Sequence, residues 1–289
     1  MRKYAVLTDS ACDLPQDMAE QHHIDILCFK IALDGEGYTE RVDFTPEEFS
    51  DMPRQTSSMP TTSQITQYEF YDRFEAYDRE GIEEVLYISI NSTGSNTNTN
   101  AHAAVEQFRE EHPDSALKIT IVDSHSYSVT YGVECCRAAE MLEAGKPMEE
   151  VVAYLDDRFA RLELVITAYN LSVIRRSGRV SAAAAIAGSL LGIHPIITLI
   201  DGVSKVVKKV RGEKMVMSSV IGHCKANMIP GSAYYIGVTN TKYADPYKAA
   251  AEEAIGYAPA GVFHLGSAVC SNTGPECAAM LYEGTKRER

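Results

Sequence analysis

The chain has 289 residues, 45% hydrophobic and 23% charged, with a formal net charge of -13, which is enough for one large domain or two modest ones with a buried core. The acidic balance argues against nucleic acid, whose phosphates must be met by lysine and arginine. Seven cysteines, scattered without a CxxC pair, fit reduced, mostly buried thiols in a cytoplasm rather than a disulfide framework or a zinc site.

Tyr4–Thr8 predicts a short buried strand at once after the amino terminus, which lacks signal-peptide anatomy. Pro15 sets up a helix over Gln16–His22, and Ile24–Ile31 is a second apolar run. An acidic, irregular stretch follows, with a short helix expected around Thr45–Phe49. The polar run Thr56–Gln64 leads into a helix over Gln67–Glu80, where Phe70, Phe74 and Tyr77 recur at helical spacing. A strand at Val85–Ile90, a helix at Thr97–Glu111 and a strand at Leu117–Val122 come next. Helices are expected over Tyr131–Glu143 and Met148–Leu162, the second with Val151, Val152, Leu155 and Phe159 on one face.

This alternation of strand and helix predicts a parallel sheet covered on both faces. From Leu164 the texture changes. A strand over Leu164–Tyr169 precedes Leu171–Arg179, which ends in a glycine turn, and a small-residue helix over Ser181–Leu191. Ala182–Ile200 is the most apolar stretch, but Ser189, His194, Pro195 and Thr198 interrupt it. A membrane span needs about twenty clean apolar residues, so a soluble protein is expected. Strands at His194–Ile200 and Ser204–Val210 flank Asp201-Gly202, a tight-hairpin signal. The basic cluster Lys205, Lys208, Lys209, Arg211 and Lys214 falls here and is expected to be a solvated face. A helix at Glu213–Met228, a strand at Ala233–Thr239, a helix at Pro246–Tyr257 and a strand at Val262–Val269 complete the chain. The fold class is therefore α/β, with an amino-terminal parallel-sheet domain over 1–160 and a carboxy-terminal α+β domain over 161–289.

Three strands of the first half end in hydroxyl-rich loops: Thr8-Asp9-Ser10, Asn91-Ser92-Thr93-Gly94-Ser95 and Asp123-Ser124-His125-Ser126. In open α/β sheets ligands bind outside the carboxyl ends of the strands, and helix amino termini attract anions. Helix capping explains part of this pattern, at Ser10 and Ser181. It does not explain two dense runs of neutral donors, Thr61-Thr62-Ser63-Gln64 and Ser92-Thr93-Gly94-Ser95, where Gly94 also admits close backbone approach to a ligand. Arg175, Arg176 and Arg179 are either a solvated turn or an anion contact. The helix Ser181–Leu191 is either tight core packing or room for an apolar ligand.

No Walker A, GxGxxG, HExxH or GxSxG pattern occurs. A serine hydrolase or acyltransferase using Ser124 or Ser95 with a distant histidine stays open, with Asp123, His125 and His264 available for a dispersed triad. So does a binding module for a small phosphorylated metabolite. His22-His23 lacks metal-ligand spacing.

Taken in order, these segments resemble the DegV family, whose members bind fatty acids. Asp9-Ser10-Ala11-Cys12-Asp13-Leu14-Pro15 is similar to the family's DSxxDLP opening, Thr62-Ser63-Gln64 to its TSQ, and Ser92-Thr93-Gly94-Ser95 to its LSGT segment. Val122-Asp123-Ser124 with Ser126 and Gly132 resembles VDSxSxSxGxG. Arg176-Ser177-Gly178-Arg179, Leu190–Ile196 and Asp201-Gly202 resemble KGGRIS…LLxIKPIL…DG, and Asn272-Thr273-Gly274-Pro275 stands where HTGP is usual. Departures include Ile65-Thr66 after TSQ, Asn96-Thr97 for Tyr-Gln, Ser177 for a glycine, and Asn272 for a histidine of the head-group network. An amide donates hydrogen bonds but carries no charge.

The resemblance implies a two-domain DegV-like fold with a ligand tunnel between the domains. It implies a long-chain fatty acid such as palmitate as ligand and no cofactor or metal. It also implies that the chain is not itself an enzyme: the lipid-binding subunit presents the carboxylate to an ATP-dependent fatty acid kinase subunit, which forms the acyl phosphate. Carried onto this chain, the ligand-binding residues are Thr62, Ser63, Thr93, Gly94, Ser95, Arg179 and Asn272, with Ser95 the neighbouring alternative to Thr93. A cytoplasmic monomer is expected.

Overall fold

The structure is a computed structural model that describes residues 3–55, 58–181 and 192–287. The chain opens with β1 (Tyr4–Asp9), α1 (Gln16–Gln21), β2 (Ile24–Leu27), β3 (Lys30–Leu33), β4 (Glu36–Thr39), α2 (Pro46–Gln55) and β5 (Thr61–Ser63). It continues with α3 (Gln67–Arg79), β6 (Glu84–Ser89), α4 (Thr97–Glu111), β7 (Lys118–Asp123), α5 (Val129–Glu143) and α6 (Met148–Phe159). Then come β8 (Leu162–Ala168), α7 (Leu171–Ser177), β9 (Ile193–Ile200), β10 (Val203–Arg211) and α8 (Val216–Asn227). The last elements are β11 (Tyr234–Val238), α9 (Ala244–Ile255), β12 (Gly261–His264), α10 (Ser267–Thr273) and β13 (Cys277–Glu283).

Two compact units form: Met1–Lys30 with Ser63–Phe159, and Ile31–Thr62 with Ala160–Arg289. The expected division into 1–160 and 161–289 did not include the excursion of residues 31–62. The reason is packing: Ile31, Phe44 and Phe49 bury themselves against Cys270 of the second unit. Glu40, 2% exposed, accepts the Ser267 hydroxyl and the Ala268 amide there. The single apolar run Ile24–Ile31 is in fact two strands, β2 and the start of β3, and the change of unit falls inside it.

The first unit holds a four-stranded sheet in the order β2-β1-β6-β7, with every neighbouring pair parallel. β1 and β6 are near-continuous apolar strands with interiors fully buried, as a sheet covered by helices requires. α3 starts at a capping box: the Thr66 hydroxyl accepts the Glu69 amide while the Glu69 carboxylate accepts the Thr66 amide.

The second unit holds a six-stranded mixed sheet, β10-β9-β8-β13-β11-β12. The β9–β10 hairpin turns at Asp201 and Gly202, both at positive φ (49° and 73°), as a tight primed turn demands. β10 ends the sheet order, and its Lys205, Lys208, Lys209 and Arg211 side chains are exposed, the expected solvated face.

Two expectations need correcting in this unit. Residues 262–269 are not one strand: β12 stops at His264 and α10 begins at Ser267, because Glu40 takes up hydrogen-bond donors of the first turn of α10. The strand Cys277–Glu283, which local pattern did not announce, pairs antiparallel with both β8 and β11 and lies inside the sheet. The expected helix Ser181–Leu191 lies outside the described residues apart from Ser181, whose hydroxyl meets that of Ser204 at 2.9 Å.

Candidate functional site

β1, β6 and β7 are adjacent and parallel, so their carboxyl ends bring the three hydroxyl-rich loops to one edge of the first unit. Hydrogen bonds tie these loops together. The Asn91 amide donates to the Ser126 carbonyl at 3.0 Å, and the Ser124 amide to the Ser89 carbonyl at 3.1 Å. Asp123 accepts the Ser92 amide at 3.2 Å and the His125 amide at 2.8 Å, with the His125 Nδ1 3.3 Å from its other oxygen.

Asp9 anchors the edge from below. Fully buried at the end of β1, it accepts the Tyr131 hydroxyl at 2.7 Å, the Ile90 amide at 2.9 Å and the Tyr87 hydroxyl at 3.1 Å. Burial lifts its carboxyl pKa to about 6, against the opposing pull of those donors. Ile90 immediately precedes the Asn91–Ser95 loop, so this carboxylate fixes where the loop departs. Ser10 is not the helix cap expected of it: its hydroxyl accepts the Phe29 amide at 2.9 Å, a bond to a distant segment.

The loop is built around the Asn91 side chain, which is fully buried. Its Oδ1 accepts the Thr93 amide at 3.2 Å, while its Nδ2 lies 2.9 Å from the Thr93 hydroxyl and 2.7 Å from the Tyr127 hydroxyl. Tyr127 closes over Gly94, where an added β-carbon would collide with the phenol. Glycine is required here by this close approach. The Ser95 hydroxyl donates to that of Thr97 at 2.9 Å, and Thr97 is contacted in turn by the Ile65 amide at 3.4 Å. The arrangement exposes Thr93 and leaves Gly94 and Ser95 half-buried. It is a neutral cradle of hydroxyl and amide groups.

Of the residues singled out from sequence, Thr93, Gly94 and Ser95 share this loop, and Ser63, exposed at the end of β5, belongs to the same unit. Thr62, Arg179 and Asn272 belong to the second unit. Thr62 is half-buried on β5. Arg179 is exposed beyond α7, its guanidinium 3.4 Å from the Ser177 carbonyl. Asn272 is half-buried on α10 and spends one amide hydrogen on the Ala268 carbonyl of its own helix at 2.8 Å.

The two serines considered as nucleophiles make local bonds: Ser124 with the Ser126 backbone and Ser95 with Thr97. Sequence reasoning passed over Asn91 and Tyr127. Asn91 stood within the singled-out hydroxyl run, whereas Tyr127 carried no local signal. Among the described residues no group of three or more His, Cys, Asp or Glu side chains is placed to hold a metal ion, and no helix is long and apolar enough to cross a membrane.

Comparison with known proteins agrees with this architecture. The family model described as an uncharacterised protein of the DegV family matches residues 3–285. A DegV domain-containing protein of Clostridium perfringens is 30% identical over 223 residues, covering 77% of each chain. Another, from Caldanaerobacter subterraneus, is 28% identical over 286 residues, 98% of this chain and 99% of the relative. A solved DegV family protein from Thermus thermophilus, described as fatty acid binding, superposes with a TM-score of 0.85 at 26% identity, covering 99% of this chain and 100% of that one. A stearic-acid-binding protein from Eubacterium ventriosum shares the fold, with a TM-score of 0.87 at 23% identity, covering 97% of this chain and 98% of that one.

Proposed function

Because the chain belongs to the DegV family, we propose that it binds a long-chain fatty acid such as palmitate. The acyl chain occupies a buried tunnel and the carboxylate rests on threonine and serine hydroxyls. The observation that carries this reading is the Asn91–Ser95 cradle, whose neutral donors gather at the carboxyl edge of a parallel sheet. The Thermus thermophilus relative, described as fatty acid binding, supports it.

The energetics divide the work. Burying an acyl chain gains roughly 0.8 kcal/mol per methylene, on the order of 10 kcal/mol for a long chain before ordering costs. A hydrogen bond to a charged carboxylate contributes about 1.5–3 kcal/mol. The chain therefore supplies most of the affinity, while Thr93, the Gly94 backbone and Ser95, with Ser63 in the same unit, orient the acid and select against ligands that lack one. Thr62, Arg179 and Asn272 are kept as ligand contacts on the family resemblance alone.

On the same reading the chain is a carrier rather than an enzyme. It presents the carboxylate to an ATP-dependent kinase subunit, which moves the γ-phosphoryl group onto it as an acyl phosphate. It works in the cytoplasm as a monomer and needs no cofactor. The test is native mass spectrometry and lipid extraction of the purified protein, followed by palmitate titration. Co-purified fatty acid, or saturable palmitate binding, is expected; neither being found overturns the reading.

A further inference from the structure

The end of β7 carries a histidine in a position that helix capping and core packing do not explain. The segment Asp123–Tyr127 runs beside the Asn91–Ser95 cradle and touches it at both ends and in the middle. At one end the Asp123 Oδ2 is 3.4 Å from the Ser92 amide. In the middle the Ser126 carbonyl accepts the Asn91 amide at 3.0 Å, and at the far end the Tyr127 phenol lies against Gly94. His125 is therefore bracketed by contacts to the cradle.

Its backbone is constrained as well. His125 sits at φ 51° and Ser128 at φ 62°, in the left-handed region that disfavours residues bearing a β-carbon. Such backbone persists where neighbours hold it in place. Here Asp123 does so, accepting the His125 amide at 2.8 Å and lying 3.3 Å from the ring Nδ1. The Oδ2 that meets the ring is the one beside the Ser92 amide, so a single acid ties the imidazole to the cradle loop. Among the described residues no hydrogen bond reaches the other ring nitrogen, Nε2, and 38% of the side chain is exposed.

Charge points the same way. The three loops of this edge, Thr8–Asp13, Asn91–Ser95 and Asp123–Ser128, contain three aspartates and one side chain able to carry positive charge, His125. Neutral donors suit a carboxylate with its single charge. When that carboxylate is phosphorylated, one of its oxygens joins the γ-phosphorus of ATP as the bond to ADP breaks. The product's phosphate carries about two negative charges, and it needs a donor at the exposed rim, among acids that repel it.

We infer that His125 receives the phosphoryl group of the acyl phosphate, its Nε2 facing that group while Asp123 holds the ring. The inference rests on the fatty-acid and carrier reading above and deepens it. His125 fits the site to the head group of the product and adds little to capture of the free acid.

The experiment measures binding of palmitate and of hexadecyl phosphate, a stable stand-in for the acyl phosphate with the same chain, to the wild type and to His125→Asn. Asparagine tolerates left-handed backbone and keeps a polar group near the place of Nδ1, but it is too short to replace Nε2. Hexadecyl phosphate affinity is expected to fall at least tenfold and palmitate affinity to change less than twofold, with the unfolding curve unmoved.

Equal loss of both ligands, a hexadecyl phosphate loss below twofold, or a wild type that binds palmitate and not hexadecyl phosphate overturns the inference and leaves the fatty-acid reading intact. Should His125→Asn fail to fold, His125→Gly accepts the backbone conformation without steric cost and is expected to show the same selective loss; an unchanged affinity ratio refutes the role. A wild type that binds neither ligand refutes the fatty-acid reading itself, and this inference falls with it.

Discussion

The carboxylate of Glu40 and the hydroxyl of Ser267, separated by 227 positions of sequence, meet at 2.7 Å inside the second unit. The same oxygen accepts the Ala268 amide at 2.8 Å, so one buried acid closes the amino end of the helix that carries Asn272. Glu40→Ala leaves two buried donors without this acceptor. A loss of about 2–4 kcal/mol is expected, measured as a lower denaturant midpoint. Glu40→Gln, which keeps an acceptor but no charge, is expected to lose about half as much.

Asp9 makes stability depend on pH. Its folded carboxyl pKa stands near 6 against an ordinary 3.8, because burial disfavours the charge. Between those values the folded state holds more protons than the unfolded state, so stability falls as pH rises through that window. The resulting destabilisation is about 3 kcal/mol, complete above about pH 6 and absent below about pH 3.8. Asp9→Asn is expected to abolish this slope, so the variant gains up to about 3 kcal/mol relative to the wild type as pH rises from 4 to 6. Parallel stability curves across that range contradict the assignment.

Thr93→Val keeps the shape of the side chain and removes its hydroxyl. Palmitate binding is expected to weaken by about 1–3 kcal/mol, read by titration, with the melting temperature little changed because Thr93 is exposed. An unchanged affinity moves the carboxylate elsewhere.

Gly94→Ala drives a β-carbon into the Tyr127 hydroxyl, so loop or ring must shift and the cradle opens. Palmitate affinity is expected to fall at least tenfold. Adding Tyr127→Phe is expected to recover only part of it, since the ring carbon Cζ would still lie 2.9 Å from the new methyl group.

Much of the site was legible in the sequence because its parts are local. The strands before Ser10, Asn91 and Ser124 are short apolar runs, and each is followed directly by hydroxyl residues; parallel pairing then places those loops on one edge. The roles of Asn91 and Tyr127 were not legible. Their bond spans 36 positions, and nothing in the residues beside Tyr127 marks its phenol as the lid on Gly94. Ser10 illustrates the reverse error, because a serine opening a helical turn carries a capping signal while its hydroxyl is bound to Phe29.

By itself the sequence determined the alternation of strand and helix in the first unit, the Asp201-Gly202 hairpin and the family to which the chain belongs. These rest on residue spacing of two and 3.6 and on turn chemistry, which neighbouring residues encode. Only the tertiary structure decided that residues 31–62 join the second unit, that Cys277–Glu283 is an interior strand between β8 and β11, and that two tyrosines and a backbone amide surround Asp9. Those outcomes depend on which buried groups find partners far apart in the sequence, and that choice is made by packing and hydrogen-bond satisfaction of the whole fold.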